Sequence, residues 1–288
     1  MQFVRLLMVS LLTIICCQSY AQSNQRIKIS PLNQHIEYFN QNDREYFIDY
    51  VLNLDNEKWS KVETSLDFGL VSRSYWIRFQ LKTPKSDSLD DRWFIEISNP
   101  VIDQVDLYVQ TNDRVKSYHS GDTVALRDKP TPTRVFLFPL PNDQATHTIY
   151  LKYKGTAASS MPLALISANQ ALADSSNVSL VFGMFIGLMV AISLVSFTIF
   201  IRTKSKTFLY FSAYSISAIL FISIFEGYAS LILWPSAPWM QNFISPSLAV
   251  LCIWFALGFI SEALSFKDSL SKQHYLIYSL LRKTLIVL

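Results

Sequence analysis

Hydrophobic and polar residues alternate with period two through several short runs before about residue 170, and then give way to long unbroken apolar stretches. In Tyr75-Trp76-Ile77-Arg78-Phe79-Gln80-Leu81, Tyr75, Ile77, Phe79 and Leu81 share one face, while Trp76, Arg78 and Gln80 share the other. Period two places successive side chains on opposite faces of a strand, so this pattern predicts a half-buried strand. Trp93–Ile97, Val105–Val109 and Thr148–Tyr153 repeat it, and Arg134–Phe138 and Leu163–Ile166 add two more candidates. Turn-forming groups separate the runs: Asn99-Pro100, Thr111-Asn112-Asp113, Ser120-Gly121-Asp122, Pro130–Pro132 and Pro141-Asn142-Asp143. Many short strands joined by polar turns predict a β-sandwich. Asp43–Leu54 reads equally as a short helix or as an irregular excursion.

The apolar stretches have a different period and a different length. Val178–Ile201 runs for about 24 residues without a charge, enough at about 1.5 Å per residue to cross a hydrocarbon core. Arg202, Lys204 and Lys206 follow at once and mark that end as the cytoplasmic one. A second span is expected over 207–233, with one charge, Glu226, near its far end, and a third over 243–262. Between them, Trp234-Pro235-Ser236-Ala237-Pro238-Trp239 reads as an outer-face loop, and Pro246 as a first-turn proline. Lys267, Lys272, Arg282 and Lys283 return to the inner side, and from about residue 276 the chain reads as the approach to a fourth span. Gly183 and Gly187 form a GxxxG pattern on the first span, a hint of helix packing. Glu226 has two readings: a carboxylate at headgroup level, or an interhelical polar contact that ties the domain outside to the helices.

Composition changes this picture little, and the cysteines sharpen it. The chain has 288 residues, 50% hydrophobic, and a net charge of only +3, too small to suggest a nucleic-acid partner. Cys16 and Cys17 fall in an N-terminal apolar run and Cys252 in the third span, so the sandwich must fold without disulfides or a thiolate metal site. Met1–Ala21 carries Arg5, the apolar run Leu6–Cys17 and the small-x-small site Ser19-Tyr20-Ala21, the pattern of a cleaved secretory signal peptide; an uncleaved anchor is the alternative. The plan is therefore a signal peptide over 1–21, an exported sandwich over 22–175 and a membrane region over 176–288.

Phe68-Gly69-Leu70, Ser74–Phe79, Trp93 through Asn99-Pro100 and Val105–Tyr108, in that order, resemble the type 2 extracellular domain of bacterial seven-transmembrane receptors with diverse intracellular signalling modules. Tyr210 onward, with Phe225-Glu226-Gly227-Tyr228 and Leu233–Trp239, resembles that family's second span and following loop. The resemblance implies a jelly-roll-like sandwich akin to carbohydrate-binding modules, followed by transmembrane helices, in a periplasmic sensor of a small molecule, a carbohydrate among the candidates. It also implies seven spans and a cytoplasmic output module, whereas this sequence stops at the approach to a fourth span. That ending is expected either of a truncated product or of a protein that works with three spans.

Sugar recognition on a sandwich calls for an aromatic plane against the apolar sugar face and polar side chains for the hydroxyls. Trp76, Arg78 and Tyr108 are the ligand-binding candidates, with Trp93 and Tyr150 as further aromatics. Trp93 is in phase with Ile95 and Ile97 and is assigned to the core; Trp76 and Arg78 have a packing reading beside the binding one; Tyr108, in phase with Asp106, is assigned to the surface. No catalytic, cofactor or metal site is expected. The histidines are dispersed, there is no GxSxG elbow or phosphate-binding glycine loop, and Asp103 and Asp106 are spaced for opposite strand faces. The partners expected are a small ligand, the lipid bilayer, and either a second copy or another envelope protein; an envelope scaffold is the rival to a sensor.

Overall fold

The computed structural model describes residues 27–29, 35–41, 45–63, 66, 74–84, 92–112, 114–143, 145–155 and 161–265. The expected signal peptide, Phe68-Gly69-Leu70 and the approach to a fourth span with its basic residues lie outside these. Two compact units divide the chain: Ser19–Asn177 joined by Glu226–Pro238, and the helical stretches from Val178–Phe225 and from Trp239 onward.

The first unit is a sandwich of two antiparallel sheets. Its strands are β1 (Ile27–Ile29), β2 (Ile36–Gln41), β3 (Ser60–Lys61), β4 (Ser74–Lys82), β5 (Trp93–Ile97), β6 (Gln104–Thr111), β7 (Arg114–Ser120), β8 (Phe136–Pro139), β9 (Thr146–Lys154) and β10 (Leu163–Ser167). One sheet has the order β1-β10-β5-β8, the other β3-β2-β4-β9-β6-β7. The pairs β1–β10, β4–β9, β5–β8 and β6–β7 nest inside one another. They amount to one long two-stranded ribbon, folded at the β6–β7 turn and rolled until β10 meets β5 and β9 meets β6. That is the jelly-roll arrangement. At the fold of the ribbon Asn112 has φ +52°, a left-handed conformation that asparagine tolerates.

The alternation decides what lies inside. Tyr75, Ile77, Phe79 and Leu81 of β4, Val105, Leu107 and Val109 of β6, and Ile149, Leu151 and Tyr153 of β9 meet Ile95, Ile97, Phe136, Phe138, Leu163 and Leu165 of the facing sheet in one core. Trp93 packs against this core, as its phase predicts. The outer face of the six-stranded sheet is covered too. Helix α1 (Ile48–Leu52) and a 3-10 turn (Asn56–Lys58) lay Val51, Leu54 and Trp59 over Trp76 and Tyr150. Within the ambiguous 43–54 stretch, Ile48–Leu52 is thus a short helix, and it forms part of a third layer.

The helices begin and end at places different from those expected. Helix α2 (Ala168–Thr203) starts ten residues before the apolar run, directly after β10, where the Ser167 hydroxyl accepts the Gln170 amide at 3.2 Å as an N-cap. Helix α3 (Lys206–Phe225) stops short of 233, because Gly227 takes φ +79° and breaks the helical path. The short helix α4 (Tyr228–Ile232) follows, then α5 (Trp239–Ala263). Since α5 starts at Trp239, Pro246 sits inside it rather than in its first turn. Helices α2, α3 and α5 are long and apolar enough to cross a membrane. Within the helical unit, the Ser193 and Ser212 hydroxyls are 2.9 Å apart between α2 and α3. The glycine used for close packing is Gly258 of α5, whose missing side chain leaves room for the Tyr210 ring of α3. Gly183 and Gly187 face open space among the described residues.

Candidate functional site

Strand register sets the outer face of the six-stranded sheet into rows. One row reads Phe39, Trp76, Lys152, Asp106 and His119 across β2, β4, β9, β6 and β7; the next reads Glu37, Arg78, Tyr150, Tyr108 and Ser117. An aromatic, a cation, a carboxylate and an imidazole therefore stand side by side because their strands pair, although they lie far apart in sequence.

The three sequence-predicted ligand residues do share this face, under different conditions. Trp76 is 0% exposed, sandwiched under α1 with its ring 5.6 Å from Tyr108. It presents no stacking plane to a ligand in this structure, because the α1 layer takes that plane. Arg78 is tied up as well. Its Nε donates to Glu37 Oε2 at 2.9 Å, its Nη2 donates to Asn56 at 3.1 Å, and its guanidinium lies 4.4 Å over the Trp59 ring. Burial alone would raise the Glu37 carboxyl, yet the Arg78 guanidinium and His35 hold it below its usual range. Tyr108 is half-buried at the edge of the covered zone, and its ring meets His119 edge-on at 6.4 Å. Burial, and then the Asp106 and Asp49 carboxylates, push its hydroxyl up to about 12, so it remains a donor at any physiological pH.

Around Tyr108 lie groups that the sequence reading did not assign to binding. Asp106 is buried, and both of its oxygens are used: Oδ1 is 3.1 Å from His119 Nδ1, and Oδ2 accepts from Gln104 Nε2 at 2.8 Å. Lys152, also buried, donates to Glu45 Oε1 at 2.9 Å and stands 5.9 Å from the centre of the Trp76 ring. From the covering layer, Tyr46 and Tyr50 stack at 4.4 Å, with Tyr50 42% exposed. Tyr50 lies on α1 and Tyr46 precedes it, so no helical spacing marked the pair in the sequence. The surface combines a stacked tyrosine pair of which Tyr50 is exposed and Tyr46 half-buried, an imidazole held by a buried carboxylate, a phenol and an amide, which is a set able to recognise a ring that carries hydroxyls.

The Lys152 hydrogen bond and charge hold the Glu45 carboxyl below its usual range. A depressed folded-state value contributes stability above the unfolded carboxylate range and loses it as pH falls through the folded value. Glu45→Gln is therefore expected to lower the melting temperature at neutral pH, with the gap from wild type closing in acid; melting curves across pH check this. A gap independent of pH would show that the ion pair does not fasten the α1 layer.

A second imidazole has a structural setting. His147 is fully buried, with Nδ1 2.6 Å from Thr111 Oγ1 and Nε2 2.8 Å from Asp143 Oδ1, so both ring nitrogens are satisfied where the sheet ends.

Glu226, expected inside the second span, lies one residue beyond α3. Its Oε2 is 3.4 Å from Arg134 Nη1, and its backbone carbonyl accepts from the same nitrogen at 3.1 Å. The partner is thus a residue of the sandwich rather than a neighbouring helix.

An antiparallel jelly roll followed by apolar helices of membrane-crossing length defines a membrane protein that carries a separate β-domain. Residues 33–167 match the family model described as 7TMR-DISM extracellular 2, and residues 179–288 match the one described as 7TM diverse intracellular signalling. The chain belongs to this family of receptor-like membrane proteins. No curated protein matches it.

Proposed function

We propose that this chain is the sensing part of a receptor in the bacterial inner membrane, with the jelly roll in the periplasm. Its ligand is a small molecule of the carbohydrate class, bound on the outer face of the six-stranded sheet where α1 meets β6 and β7. The signal-peptide pattern of 1–21 and the basic residues after α2 support that orientation. The observation that carries the binding reading is that Tyr46, which stacks on Tyr50, packs in the same outer-face cluster as Tyr108, whose ring meets the His119 imidazole held with Gln104 on Asp106. Binding becomes a signal only if the ligand favours one arrangement of the receptor over another.

The test is a thermal-shift screen of the full chain in lipid nanodiscs against sugars, sugar acids and cell-wall fragments. A ligand at about 100 times its dissociation constant stabilises the fold that binds it by about 2.7 kcal/mol. Tyr50→Ala and His119→Ala alter exposed side chains, so both are expected to keep the fold and abolish the shift. A folded chain that ignores the whole library would favour the rival role, an envelope scaffold whose sandwich contacts a second copy or another envelope protein.

A further inference from the structure

The connection between β7 and β8, residues 121–135, is held at both ends by parts of the molecule that are remote in sequence. At its start it is pinned to the run that enters β6: the Asp122 amide donates to the Ile102 carbonyl at 2.8 Å, and the Thr123 hydroxyl donates to the Asp103 carbonyl at 2.6 Å. Gln104 and Asp106 of the candidate site follow directly in that run. Further along, the same connection holds the loop Glu226–Pro238, which joins α3 to α5. Arg134 grips the head of the loop through the Glu226 carbonyl and carboxylate, and its guanidinium lies 5.6 Å from the centre of the Tyr228 ring. The Leu126 amide holds the tail, donating to the Pro235 carbonyl at 2.9 Å.

Between those two points the fit is close. Gly227, at φ +79°, has no room for a side chain, because a Cβ there would stand 2.8 Å from the Arg134 carbonyl and 2.9 Å from Pro100. Ala229 and Trp234 are buried. A loop that merely turned a chain between two membrane helices would need neither a left-handed glycine against a neighbouring backbone nor a cation shared between a carboxylate, a carbonyl and an aromatic ring.

We propose that Glu226–Pro238 is a latch, through which helices α3 and α5 register the state of the jelly roll. Helix α2 is joined to the sandwich by the covalent chain at β10. The latch adds a second connection, made without a covalent link and centred on Arg134. It therefore has a released state as well as a docked one, as a switching element requires. The connection 121–135 carries the change: a shift at the entry of β6 moves its start, and its far end holds or frees the loop. The proposal does not depend on the identity of any ligand, because the latch can be opened directly by substitution.

The experiment is hydrogen–deuterium exchange on the full chain in lipid nanodiscs. In wild type, amides in 123–129 and 226–238 are expected to be protected. Arg134→Leu removes all three contacts of the guanidinium and is expected to speed exchange in both segments by about tenfold or more. Protection in β4 and β9 should be unchanged, and exchange should also rise in the last turn of α3 and the first turn of α5. Glu226→Gln, which keeps the backbone carbonyl contact, should give a smaller change in the same places. Rapid exchange of 226–238 in wild type would overturn the docking. Release of the loop with the ends of α3 and α5 unchanged would overturn the coupling. Faster exchange throughout the jelly roll in both variants would show Arg134 to be a general structural residue and would likewise overturn the proposal.

Discussion

Trp76→Ala is expected to destabilise the jelly roll by about 3–5 kcal/mol, the usual cost of removing a large aromatic from a packed site. The indole is 0% exposed and touches both layers that meet on the outer face: Tyr108 beside it, and the Val51, Leu54 and Trp59 cluster that α1 lays over it. Its removal empties the floor of that layer, so the loss should appear in denaturation curves without any ligand present. Trp76→Phe separates packing from polarity. It keeps most of the ring and deletes an indole N–H that finds no acceptor among the described residues, so its cost should be a small part of the alanine cost. If alanine costs less than about 1 kcal/mol, the covering layer is not packed on Trp76 and the account of the outer face fails. The result also bears on how binding is tested, since a ligand response lost in Trp76→Ala would report a disturbed fold before it reported a contact.

Gly121→Ala should rank next. At φ +148° a residue with a side chain is strained, at a cost of order 1–3 kcal/mol. Here the added carbon would also collide with the Asp103 carbonyl oxygen and lie 2.9 Å from the Gln104 Cα. Both obstacles are backbone, so relief requires the entry to β6 to move. The expected outcome is a stability loss of about 2–4 kcal/mol, with faster amide exchange at Asp122 and Thr123, whose bonds to Ile102 and Asp103 hold the turn. Unchanged melting and exchange would show that the turn yields freely, and that it is no firm anchor for the strand carrying Gln104 and Asp106.

Much of the jelly roll was legible because each of its longer strands gives one continuous apolar face to the common core. β4, β5, β6 and β9 announce themselves by period two, and their inner faces in the structure are the ones their alternation defines. β7 did not, since Arg114–Ser120 is largely exposed and carries no apolar stripe to read. The candidate site was lost with it: His119 stands beside Asp106 only because β7 pairs with β6, and sequence spacing alone does not reveal a pairing. Trp76 was harder for a different reason. An aromatic opposite the core face of a strand has two explanations, an exposed binding plane or a second buried layer. The choice depended on the 43–54 stretch, whose pattern was ambiguous. The membrane helices were legible as stretches but not at their ends, because a serine cap at Ser167 and one positive φ at Gly227 set those ends, and hydropathy is blind to both.

The nested pairing of the jelly roll also has a consequence for biosynthesis. Ile27 of β1 pairs with Leu165 of β10, so the outermost pair of the ribbon joins nearly the first described residues of the domain to its last strand. A chain made from its N-terminus cannot close this domain until β10 has emerged, and closing such long loops makes folding slow. Yet α2 begins at the very next residue, Ala168, so the segment to emerge immediately after the closing strand is, among the described residues, the first helix long and apolar enough to cross a bilayer. Closure of the sandwich and insertion of the first span therefore fall in the same interval of synthesis. A delay in that span leaves time for β10 to find β1 and β5, whereas a delay in the jelly roll leaves a partly rolled ribbon already tethered to the membrane.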